Sequence, residues 1–338
     1  MKRTLGVTAL LAVAVALAAC RGGSSASSPA ARTPVIGTVV GTIAAPVTPT
    51  PVPTHAAAPA GASCDQLRPH GSGDSDESIV SGGRSRTYIL HVPPSYDGAR
   101  RLPLVVDLHG AGSNAREQVF YSQFNRKADD EGFITVTPDA LGDPQAWNFI
   151  PTASGADDVG FVRDVLDRVE SQLCIDETRV YATGISSGGA MSVRLACSLQ
   201  DRIAAIGPVA AIWYPPGCPT ARAMPVIEFH GTQDPLVPYG GGPGVSGLNV
   251  PKVEDAIASW AKADGCAEPP ARQDFSAHVR TTAYSECRDA AAVELWTVDG
   301  GGHTWPGAPI DVTRFGATTH EVSATDEIWS FFAAHTLR

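Results

Sequence analysis

Apolar positions fall into short β-like runs separated by stretches with helical spacing. Arg86–Val92 alternates apolar and polar residues as a half-buried strand and stops at Pro93-Pro94. Leu104–His109 is an apolar run of the kind that fills the middle of a sheet, and it leads into Gly110-Ala111-Gly112. A polar helix is expected from Ala115 to Asp130, then a strand from Phe133 to Thr137 that Pro138 ends. Between Asp158 and Leu173, Val162, Val165, Leu166, Val169 and Leu173 form one stripe of an amphipathic helix. From Arg179 a β-branched and aromatic run enters Gly184-Ile185-Ser186-Ser187-Gly188 and continues as a helix to about Leu199. Two further strands, Pro225–His230 and Val293–Val298, bracket a helix that Pro251 opens and Gly265 closes. Ser323 caps a terminal helix carrying Ile328, Trp329 and Phe332. Strands alternating with helices predict an α/β fold, a mainly parallel sheet with helices on both faces.

The first residues follow a different pattern. Lys2 and Arg3 precede an apolar stretch from Leu5 to Ala19, a secretory signal over 1–19 too short to span a bilayer comfortably. Its ending, Leu17-Ala18-Ala19-Cys20, resembles the lipobox of bacterial lipoproteins, which implies cleavage before Cys20 and a lipid on its sulfur. Residues 20–73 are Ala-, Pro-, Thr- and Ser-rich, a tether with no core-forming pattern, and residues 74–338 suit one catalytic domain. The expected location is the outer face of the cell membrane or the medium, with the lipid as the membrane contact. A formal net charge of −10 and the lack of a basic cluster exclude nucleic acid as a partner; a monomer is expected. Six of the seven cysteines remain for an oxidising compartment. Cys266 and Cys287 flank a loop-rich stretch, Cys197 and Cys218 bracket the end of one helix and the turn before the next strand, and Cys64 is left for Cys174.

The chemistry centres on Ser186. G-x-S-x-G after a strand and before a helix is the turn that lifts a serine hydroxyl above a sheet. With 34 glycines in the chain the pentapeptide alone says little, and its setting decides. A serine nucleophile needs a base and a group to orient that base. His303, on Gly300-Gly301-Gly302-His303 beyond a strand end, is the candidate base. Asp234, in a turn set by Gly231 and Pro235, is the candidate acid, with Asp299 as runner-up. His230 reads as a hydrogen-bonded core histidine, and His278, His320 and His335 as solvated. Backbone amides of Ser187 and Ala111, with Gly110 as the alternative, are candidates for an oxyanion hole. No dinucleotide or phosphate-loop fingerprint and no metal-ligand spacing occurs, so neither cofactor nor metal is expected.

Taken with Leu108–Gly112, Asp157–Phe161, Arg179–Met191, Phe229–Asp234 and Gly301–Gly307, the chain resembles the polyhydroxybutyrate depolymerase and feruloyl esterase group of bacterial α/β-hydrolases. That resemblance implies a secreted serine esterase with Ser186, Asp234 and His303 as triad. It also implies that Asp157, Asp158 and Trp305 belong to a framework near the cleft. Hydroxyalkanoate esters are the leading substrate expectation, with feruloyl or acetyl esters of plant polysaccharide as the alternative. Trp305 and Trp147 are candidates to stack on an acyl or sugar group. No binding module follows the terminal helix, which favours soluble esters over solid polymer. A peptidase of the same fold and a non-catalytic surface lipoprotein are the competing readings.

Overall fold

The computed structural model describes residues 64–152, 155–219, 221–244 and 247–337. The signal, Cys20 and most of the tether lie outside them. In chain order the elements are β1 (Gly73–Ser81), β2 (Arg84–Val92), β3 (Leu102–Leu108), α1 (Ala115–Ser122), α2 (Phe124–Glu131), β4 (Ile134–Pro138), α3 (Asp158–Gln172), β5 (Ile175–Ile185) and α4 (Ser187–Ser198). They continue with β6 (Ala205–Val209), β7 (Val226–Gly231), β8 (Gly242–Pro243), β9 (Asn249–Val250), α5 (Val253–Asp264), β10 (Ala271–Asp274), β11 (Val279–Tyr284), β12 (Val293–Val298) and α6 (Ala324–Ala333).

Ten strands form one sheet in the order β1-β2-β4-β3-β5-β6-β7-β12-β11-β10. The central six, from β4 to β12, pair in parallel, and antiparallel pairs close both ends. Because side chains alternate across a strand, each central strand feeds two cores. Leu104, Val106 and Leu108 of β3 join Val180 and Ala182 of β5 under α3, α4 and α5. Val105 and Tyr181, one residue out of step, pack on the other face with Phe124 of α2 and Ile328, Phe331 and Phe332 of α6. This is the α/β-hydrolase architecture, and it puts every loop leaving the carboxyl ends of the parallel strands on one edge, where α/β sheets bind ligands.

Four features depart from the sequence reading. The helix expected from Ala115 to Asp130 is two helices, broken at Gln123, which sits in left-handed conformation at φ 62°. The break carries neither glycine nor proline, so nothing in the pattern marks it. The stretch between Cys266 and Cys287 is not mainly loop but the β10–β11 hairpin. β10 is an exposed edge strand, Ala271-Arg-Gln-Asp274, whose polar residues hide its alternation. β6 carries Gly207 and Pro208, residues that argue against a central strand, so its sequence shows no strand pattern. Lastly, the folded body reaches back beyond Asp74, the boundary composition suggests. Arg68 donates to the carbonyls of Glu170 and Leu173, and Tyr96 Oη donates to Arg68 O at 2.7 Å. Disulfides join Cys64 to Cys174, Cys197 to Cys218 and Cys266 to Cys287.

Candidate active site

Ser186 stands between β5 and α4 with φ 58° and ψ −121°, a strained backbone for a residue with a side chain. The turn is feasible because α4 lies directly against the end of β3. A Cβ on Gly188 would sit 2.1 Å from the Leu108 carbonyl oxygen, so only glycine permits that approach. Ser186 N–H donates to Val209 O on β6 at 2.9 Å, which pins the turn from its other side.

Asp234 follows β7 and His303 follows β12, and the pairing of those strands brings the two loops together. Gly231 and Gly301 are in such close contact that a Cβ on Gly231 would fall 2.2 Å from Gly301 O. Gln233 N–H then donates to Gly301 O, and Gly300 N–H to Thr232 Oγ1. The carboxylate of Asp234 accepts the Leu236 and Val237 amides on Oδ1, each at 2.8 Å, and meets His303 Nδ1 with Oδ2 at 2.7 Å. Both residues are buried, and His303 Nε2 has no hydrogen-bond partner among the described residues. Ser186 and His303 border the same cavity of about 510 Å³.

On the opposite wall runs the loop after β3. Gly110 and Ala111 line the cavity; a Cβ on Gly110 would lie 3.6 Å from that of Ser186. Gly112 turns the loop in left-handed conformation, at φ 76°. His109 straps this loop down. Its Nε2 accepts the Ala140 amide at 3.0 Å, so Nδ1 carries the proton and donates to Gly110 O at 2.7 Å. Burial pushes the His109 pKa down, which keeps the ring neutral in that role. Trp147 Nε1 donates to His109 O from beneath. The sequence showed His109 only as a strand end and missed this task.

The two tryptophans do not do what the sequence suggested. Trp147 is 3% exposed and Trp305 1%, and neither lines the cavity. Trp305 packs edge-on to Phe124 and donates its indole N–H to Thr325 Oγ1, so its job is to seat α6. The cavity's aromatic wall comes instead from Phe120, Tyr121 and Phe315, with Leu236, Ile310 and Val312. Asp157 caps α3 by accepting the Gly160 amide, and Asp158 pairs with buried Arg86; both are framework. Asp299 is engaged at the surface by Arg280. His278 and His320 are exposed beside Glu321 and Asp311, whereas His335 is half-buried, bonded to Phe331 O, not solvated. Among the described residues no cluster suited to a metal ion occurs.

Comparison with known proteins places the chain among esterases. The family model described as Esterase PHB depolymerase matches residues 86–253. NocK of Nocardia uniformis subsp. tsuyamanensis, an esterase by name, is 30% identical over 95% of this chain and 96% of its own. Feruloyl esterase B of Piromyces equi is 34% identical over 64% of this chain, which spans only 42% of that longer protein. An acetyl xylan esterase from Aspergillus awamori superposes with a TM-score of 0.55 at 16% identity, covering 76% of this chain and 99% of that one, a likeness of fold. The chain is thus a carboxylic ester hydrolase of the α/β-hydrolase fold, and it belongs to the Esterase PHB depolymerase family.

Proposed function

We propose that the protein hydrolyses esters through an acyl-enzyme on Ser186, with His303 as general base and acid and Asp234 as the group that orients it. The observation that carries this reading is the Asp234–His303 bond aimed into the cavity that Ser186 borders, with His303 Nε2 left without a partner. Ser186 Oγ attacks the ester carbonyl while His303 Nε2 takes its proton; the proton then goes to the leaving alcohol. Water repeats the sequence on the acyl-enzyme. Asp234 keeps the proton of the neutral ring on Nδ1 and stabilises the imidazolium. Amides of Ser187, at the N-terminus of α4, and Ala111 receive the developing oxyanion.

The acyl group is an aromatic one of the feruloyl type. Phe120, Tyr121 and Phe315 give the cavity faces on which a planar ring stacks, and several relatives are named feruloyl esterases. A hydroxyalkanoate ester, the leading expectation from the sequence, is the second reading, favoured by the name of the matching family. The Ser186→Ala variant is expected to lose roughly 10³ or more in turnover of an aryl ester, and a loss under about tenfold overturns the nucleophile assignment. Parallel assays on ethyl ferulate, acetylated xylan and hydroxybutyrate oligomers separate the substrates.

Export fits three disulfides in the folded body. Lipid attachment at Cys20 belongs to the same proposal. Labelled fatty acid incorporated by the wild type and not by Cys20→Ser supports it; equal labelling of both refutes it.

A further inference from the structure

A second imidazole stands behind the first. His230, the last but one residue of β7, is buried and in contact with Asp234, yet it does not line the cavity. Its Nε2 faces two acceptors, Val237 O at 2.9 Å and Asp234 Oδ2 at 3.5 Å. Neither donates, so Nε2 must carry a proton. On the other side Nδ1 meets Glu228 Oε1 at 2.8 Å, on the same strand and fully buried. Glu228 Oε1 also accepts the Ala211 amide at 3.2 Å, while Oε2 has no partner among the described residues. Tyr239 packs edge-on to the His230 ring at 5.9 Å, and Thr297 lies beside it on β12.

We propose that Glu228 and His230 are positioning residues for the active-site aspartate, Glu228 fixing the His230 tautomer and His230 clamping the turn that holds the Asp234 carboxylate. The inference rests on the reading of Ser186, His303 and Asp234 given above. A neutral imidazole carries one proton, and the partner of one nitrogen decides where the proton goes. With Glu228 on Nδ1, the Nε2 proton is kept whether the neighbouring proton resides on the carboxyl or on the ring. Without Glu228 the buried Nδ1 has no partner, and the tautomer rests on Val237 O and Asp234 alone. Any transfer of the proton to Nδ1 would point a lone pair at the Val237 carbonyl and at the Asp234 carboxylate, repelling both. Val237 is also the residue whose amide holds Asp234 Oδ1, so a displaced Val237 carbonyl loosens the aspartate that orients His303. Burial pushes Glu228 up to about 7. Burial alone would lower His230, but Glu228 and Asp234 outweigh it and push it up. Both shifts run toward keeping a proton on the pair.

The test compares Glu228→Leu, Glu228→Gln and Ser186→Ala on a soluble aryl ester, with ¹⁵N NMR of histidine-labelled protein. Folded Glu228→Leu is expected to lower kcat by roughly 10- to 100-fold with KM within about twofold, because orientation and not binding is lost. Glu228→Gln, whose amide N–H can hold the Nδ1 lone pair, recovers kcat at least threefold over the leucine variant. In the wild type His230 Nε2 is protonated throughout the active pH range. A fall of less than fivefold in folded Glu228→Leu, recovery below threefold in the glutamine variant, or a wild-type His230 with bare Nε2 overturns the proposal. If neither variant folds, the wild-type tautomer decides alone. Activity surviving in Ser186→Ala would defeat the nucleophile assignment, while the NMR measurement would still judge the clamp.

Discussion

The deep side of the cavity and its rim are built on opposite principles. Around Ser186, His303 and Asp234 backbone hydrogen bonds tie the strand-end loops to one another, two amides and His303 hold the Asp234 carboxylate, and the residues are buried or half-buried. At the rim, Phe120 is 53% exposed and Ile310 45%, large apolar side chains standing in water. The rigid part sets which bond is broken. The apolar rim sets which molecule stays long enough to be broken, because area removed from water there is gained only when a ligand covers it.

The largest expected effect tests the deep side. Asp234→Asn keeps the shape but offers His303 the wrong partner, and kcat should fall by roughly 10³- to 10⁴-fold with little change in KM. Stopped-flow and steady-state kinetics on an aryl ester check this, and a fall confined to KM would erase the division drawn here. Next in size is a change remote from both regions. Replacing Cys266 and Cys287 together by serine opens a bridge of sequence separation 21 and should cost about 3 kcal/mol of stability by denaturant titration. Both kcat and substrate preference should stay as they were.

The rim comes third. Phe120→Ala should raise KM for ethyl ferulate roughly three- to tenfold and leave an acetyl ester nearly unchanged, with kcat conserved on both. An equal change on both esters would mean that the rim does not select. The smallest effect lies beneath the cavity, where buried Asp107 is bonded to Gln118 and Ser122. Burial pushes its carboxyl from 3.8 up to about 7. The folded state therefore holds a proton that the unfolded chain releases above about 3.8, so this group weakens folding as pH rises from there to about 7. Asp107→Asn should flatten that part of the stability-against-pH curve, read as Tm between pH 4 and 8, without touching the rim's selectivity.

The same division explains what could be read from the chain. Ser186, Asp234 and His303 were legible because each needs a particular residue type on a glycine-shaped loop at a strand end, and the strands around them, Leu104–His109 and Val293–Val298, are unmistakably apolar. The rim was not. Phe120 sits in a helix whose apolar pattern is weak, Ile310 and Val312 lie outside every helix and strand, and Phe315 ends a 3-10 turn of three residues. Their only shared property is where the fold puts them. Trp147 and Trp305 drew attention by size, yet large aromatic rings serve a core as readily as a cavity. The β10–β11 hairpin was hidden for a related reason, since an exposed edge strand gains from polar residues that blur its period. His230 was recognised as a core histidine, but its contact with Asp234 depends on a turn that no spacing rule describes.

The Cys64–Cys174 bridge has a mechanical consequence. Cys174 stands immediately before β5 and Ser186 immediately after it, so the bridge and the nucleophile occupy opposite ends of one strand, with a slip in its pairing to β3 between them. Any pull arriving along the chain at Cys64 passes through the bridge to the start of β5, at the end away from the cavity. Hydrogen bonds of β5 to β3 and β6 then share that load. Tension applied at Cys64 therefore enters the sheet at the far end of the strand from the turn that carries Ser186.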